Sequence, residues 1–96
     1  MTFDDLQAAV ARGTPLPDEA PVLARALWHD ATGDWESAHR LAQDAETPAG
    51  AWVHAYLHRK EGDTGNAGYW YRRAGKPAAS GPLDAEWRAI ATALLD

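Results

Sequence analysis

Cysteine is missing from this chain altogether. That excludes disulfides, thiolate nucleophiles and zinc–sulfur sites together. Long apolar runs are missing too: none approaches the roughly 18–20 residues a bilayer-spanning helix needs. The first residues lack the basic-then-apolar layout of a secretion signal. A cytoplasmic location with no membrane partner is therefore expected. Positive charge is also in short supply. Nine basic residues face fourteen acidic ones, for a net charge of −5, and a surface of that sign is a poor match for nucleic-acid phosphates. Val, Ile and Thr are sparse, which leaves little strand-forming material. The chain is nonetheless 46% hydrophobic, too apolar for disorder, and its 96 residues make one small domain.

Catalytic machinery is equally thin. The two serines, Ser37 and Ser80, lie in no nucleophile-elbow pattern. There is no Gly-Lys-Thr or Gly-Lys-Ser phosphate cradle, no His-Glu-x-x-His and no dinucleotide fingerprint. Gly62, Gly65 and Gly68 are spaced by three, but no strand precedes them. Asp30 and Asp34 bracket a turn, where capping accounts for them. The expectation is a non-enzyme that requires no cofactor.

What is present is alanine, punctuated by proline and glycine into six segments of helical character. Thr2-Phe3-Asp4-Asp5 carries an N-cap and a capping-box acid, so a first helix runs to about Arg12 and stops at Gly13. Asp18 can cap a second helix with Pro21 in its first turn. Leu23, Leu27 and Ala31 form its apolar stripe. Gly33-Asp34 ends that helix and caps the next, about Trp35–Ala45. Thr47-Pro48 opens the fourth. Gly62-Asp63 repeats the junction before a fifth helix, about Thr64–Ala74. A loop with Gly75, Pro77, Gly81 and Pro82 precedes a last helix, about Leu83–Leu95, whose stripe is Leu83, Trp87, Ile90 and Leu94.

Sliding the sequence by 29 residues superimposes the two central hairpins. Leu27-Trp28-His29 falls on Tyr56-Leu57-His58, Gly33-Asp34 on Gly62-Asp63, Ala26 on Ala55, Ala38 on Ala67 and Ala45 on Ala74. Small residues recur where the two helices of a hairpin would cross closely. The large ones, Trp28, Trp35, Trp52, Tyr56, Trp70 and Tyr71, would fill the gaps between hairpins. Residues 18–47 and 48–76 thus read as two units, with 1–13 and 82–96 as capping helices of one domain.

A small residue midway along the first helix, a Gly-Asp turn, then alanines and an aromatic on the second helix resemble the tetratricopeptide signature over about residues 19–76. The stretch from Gly62 to Ala74, with Trp70-Tyr71 before Arg72 and Ala74, is similar to the Sel1-type variant. The period of 29 departs from the tetratricopeptide repeat of ~34, and the early tryptophan and leucine slots are filled differently. The resemblance implies an all-α, right-handed stack of antiparallel helical hairpins and a protein- or peptide-binding role. By the family's pattern, Leu23, Leu27 and Asp30 of one unit and Trp52, Tyr56, Arg59 and Lys60 of the next would line a concave groove. An aromatic pair followed one turn later by two cations suits a peptide bearing an acidic group. The alternative is that a terminal helix fills the groove.

His54, His58 and Glu61 form a second constellation. At helical pitch they share about 60° of arc, enough for a divalent metal with water in its open positions. Against this stands the repeat: His58 corresponds to His29, in a slot where the family places a packing aromatic. Charge is also divided. Residues 1–48 carry a net −6 and residues 49–96 a net +1, with Arg59, Lys60, Arg72, Arg73 and Lys76 around one hairpin. Such a split is compatible with an acidic partner or with weak head-to-tail self-association.

Overall fold

The local rules above resolve into six helices and no strand in a computed structural model that describes residues 1–96: α1 (Phe3–Arg12), α2 (Val22–Ala31), α3 (Trp35–Asp44), α4 (Pro48–Glu61), α5 (Thr64–Ala74) and α6 (Leu83–Leu95). The Thr2 hydroxyl accepts from the Asp5 amide at 3.2 Å, while the Asp5 carboxylate accepts from the Thr2 amide at 2.9 Å. That reciprocal box fixes the start of α1, and Gly13 closes its end in the left-handed conformation. Asp18 does not cap α2. Pro21 disfavours helical backbone in the residue before it, so the helix opens after Pro21, and Asp18 instead gives its carbonyl to Arg25.

The two Gly-Asp junctions have the same geometry. Gly33 and Gly62 have φ of 95° and 90°. The amides of Asp34 and Asp63 donate to the carbonyls of His29 and His58 at 2.8 and 2.9 Å. Their carboxylates then accept from Ser37 and Asn66, at 3.0 and 3.1 Å. Ala26, Ala38 and Ala55 are fully buried and Ala67 nearly so, as expected of positions where backbones approach closely.

Helix α4 is the centre of the molecule. It packs against α2, α3, α5 and α6, and every residue from Gly50 to Leu57 except Trp52 is buried, with His58 as well. Consequently it has no solvent-facing polar stripe, unlike the helices around it. Leu6, Leu27, Val53, Leu57 and Ile90 form the apolar interior with Tyr56 and Trp87, while Ala55, Ala67 and Tyr71 make a smaller cluster between α4 and α5. Helix α6 has no close backbone approach to α5. It turns back across α2 and α4 and meets α1, where Phe3 and Trp87 stand edge to face at 6.2 Å. No helix is long and apolar enough to cross a membrane.

Candidate functional site

The groove residues come together, and α6 lies on them. Tyr56 is buried and donates its hydroxyl proton to Asp30 at 3.0 Å, and Lys60 donates to the other oxygen of that carboxylate at 2.9 Å. Asp30 is only 3% exposed, so these two bonds, and the Lys60 charge above all, offset its desolvation. Leu27 is buried and its carbonyl accepts from the Trp87 indole at 3.1 Å. Leu23 packs half-buried against the same core.

One residue the sequence reasoning passed over organises the rest. Glu86 of α6 is 7% exposed. It accepts from the Trp52 indole at 3.2 Å, from Arg59 at 2.9 Å, and from Tyr71 at 2.9 and 2.6 Å to its two oxygens. Arg59 also donates to the Gly81 carbonyl at the entry to α6, and the Lys76 ammonium sits 4.3 Å above the Trp52 ring. The aromatic and cationic set expected to hold an acidic partner therefore holds a carboxylate of the chain itself. A signal existed: Glu86 stands between Leu83 and Ile90 on the apolar side of α6, an unusual place for an acid without a partner. Burial, and then the Asp30 charge, pushes the Tyr56 phenol far above its usual value. Burial followed by the hydrogen bond to Glu86 does the same for Tyr71.

What α6 leaves open is a cavity of about 350 Å³ where α1, α2, α4 and α6 meet. Val10, Leu83 and Trp87 form its apolar wall, with Asp30, Lys60 and Arg88 among its polar groups.

The histidine face lies on the other side of α4. His54 and His58 stack with ring centres 4.8 Å apart. Glu61 does not join them as an equal ligand: its carboxylate accepts from, or shares a proton with, His58 Nδ1 at 2.7 Å. The third ring is His39 of α3, centred 4.6 Å from His54 and 5.2 Å from His58. Trp35 stacks on His39 at 4.8 Å, and Trp70 stacks on His54 at 3.9 Å. Sequence spacing could not connect His39 with α4, since it reaches them through the α3–α4 packing rather than along one helix. His29, the repeat partner of His58, stays apart from this cluster and lies 4.0 Å from Asp34.

Two buried side-chain atoms in the molecule have no hydrogen-bond partner, Trp28 Nε1 and His54 Nδ1. Burial, and then the neighbouring His39 and His58, pushes His54 down to about 4. The same burial lowers His39, assisted by His58 and opposed by Glu36 and Glu61. Both rings are thus neutral at pH 7, with nitrogen lone pairs available.

No protein-family model, curated protein or solved structure matches this chain.

Proposed function

We propose that this chain is a non-catalytic interaction module whose binding face, built from α2, α4 and α5, recognises an acidic amphipathic helix of another protein chain. The observation that carries this reading is Glu86. Donors from three side chains on α4 and α5 converge on that single carboxylate, so the face is chemically matched to a helix with an acid among its apolar residues. Helix α6 occupies it through a tether, residues 75–82, that contains Gly75, Pro77, Gly81 and Pro82. A partner helix competes with α6 or enters beside it at the open cavity. The tetratricopeptide-like, right-handed stacking of the hairpins belongs to the same proposal and is supported by the matching Gly-Asp turns. A cytoplasmic setting is also part of it.

The test is a labelled peptide of sequence 82–96, titrated against the full chain and read by anisotropy. Because a tethered helix competes at an effective concentration of about millimolar, the peptide should bind more tightly to a Trp87→Ala chain, whose own α6 is loosened. Arg59→Ala with Tyr71→Phe should abolish that binding. No binding to either chain, with helicity retained, leaves α6 as a fixed part of a closed scaffold and rejects the proposal. Concentration-dependent dimers of the Trp87→Ala chain would instead assign the face to α6 of a second copy.

A further inference from the structure

We propose that His39, His54 and His58 form a binding site for a divalent transition-metal ion of the zinc class, with Glu61 as the outer carboxylate that orients His58. This site is separate from the groove and does not depend on the interaction reading.

Four observations carry it. First, each of the three rings offers a nitrogen, and these lie within 4.8 Å of one another. Tetrahedral coordination with Zn–N bonds of about 2.0–2.1 Å places nitrogens about 3.3 Å apart. Closing the triangle therefore takes shifts of about an ångström, which the broad χ2 torsion of histidine provides. Second, Glu61 engages His58 Nδ1 at 2.7 Å, leaving Nε2 as the free donor. A carboxylate on the far nitrogen is how metal-ligating imidazoles are commonly fixed in tautomer and raised in basicity. Third, His54 is 4% exposed and its Nδ1 has no protein partner. Packing alone would be served as well by a phenyl ring, without a stranded polar atom. Fourth, Trp35 and Trp70 stack on His39 and His54 and so wall the site with apolar surface, while half-exposed His39 keeps a route open to solvent.

The chemistry of the donor set selects the ion. Three neutral imidazoles suit Zn²⁺, Co²⁺, Ni²⁺ or Cu²⁺ and are poor ligands for Mg²⁺ or Ca²⁺, which take oxygen. A fourth position remains for water. A rival donor set, His58 with Glu61 and Asp63, uses the same imidazole with exposed carboxylates. Asp63 already caps α5 by accepting from Asn66, so that set would spend a helix cap.

The experiment uses the full, untagged chain and Co²⁺ and Zn²⁺ as probes. Cobalt should give the visible absorption of a tetrahedral nitrogen-rich site, and zinc should displace it. Zinc should also raise the melting temperature, because it binds the folded chain. His39→Ala, a substitution at a half-exposed position, should weaken zinc binding at least about tenfold while leaving helicity intact. Glu61→Gln should weaken it by about 10–100-fold, as loss of an outer-shell partner does, and Asp63→Asn should leave it unchanged. The proposal is overturned if the wild-type chain shows neither the cobalt band nor a zinc-dependent melt, or if His39→Ala binds zinc as well as wild type. Loss of binding in Asp63→Asn with retention in His39→Ala would give the ion to the rival set.

Discussion

Tyr56 and Tyr71 illustrate how much of this interior is polar yet satisfied. Each phenol is buried and donates to a carboxylate, Asp30 in one case and Glu86 in the other. The folded state therefore holds both protons more firmly than the unfolded chain, where a phenol titrates near pH 10. Stability from these groups is intact below about pH 10 and declines as pH rises beyond it. Urea melts at successive pH values should show a loss that steepens above about pH 10, and Tyr71→Phe should reduce that loss. Glu86 carries more weight than either phenol. Replacing it with alanine leaves Arg59 and the Trp52 indole facing a vacancy, and removal of one partner from a buried pair costs about 3–5 kcal/mol. Denaturant midpoints of wild type and Glu86→Ala check this. The groove set was expected only through the tetratricopeptide-like pattern of α2 and α4, and in the structure Tyr56 and Lys60 meet Asp30 while Trp52 and Arg59 meet Glu86. Spacing along one helix brought His54 and His58 together, but neither Glu86 nor His39 was legible in that way. Each enters its site from a different helix, and spacing along one helix says nothing about what packs across from it.

Element by element, the junctions explain why the helix pattern could be read so closely. Capping residues and left-handed glycines act within four or five residues, and left-handed glycines stand in four of the five connections between helices. The starts of α2 and α6 are the exceptions, each opening after a proline with no side-chain cap, and at α2 the proline outweighs a nearby aspartate. Gly50 has a role that no local pattern signals. A β-carbon there would run into the Ala45 carbonyl, where the α3–α4 connection folds over the first turn of α4. Gly50→Ala should therefore destabilise the fold by about 1–3 kcal/mol, the usual cost of overpacking, even though alanine is the better helix former. Thermal melts of the variant would show it. Gly68→Ala is the control: a β-carbon there meets only the flexible end of Arg72, so propensity should dominate and stability should hold or rise.

On the scale of the whole molecule, the hairpin repeat accounts for α2 to α5 but not for the path of α6. Internal similarity describes equivalent units, whereas α6 has no counterpart in the sequence, and its placement follows from matching Glu86, Trp87 and Ile90 to a face already formed. That face joins both hairpins, and α6 in turn touches α1. No hairpin is thus free to melt alone, and a domain of this size should unfold in one step. Tryptophan fluorescence and far-UV circular dichroism should give coincident denaturation curves. Separate midpoints would mean that the α4–α5 pair or the α1–α6 pair opens independently.

The encirclement of α4 by four neighbours carries one more consequence, for the exchange of backbone hydrogens with deuterated solvent. Amides in its middle turns, from Val53 to Leu57, can reach solvent only when the surrounding helices part, so they should be the last in the protein to take up label. The stretch whose own amphipathic pattern is weakest would then be the one that remembers longest how the chain was folded.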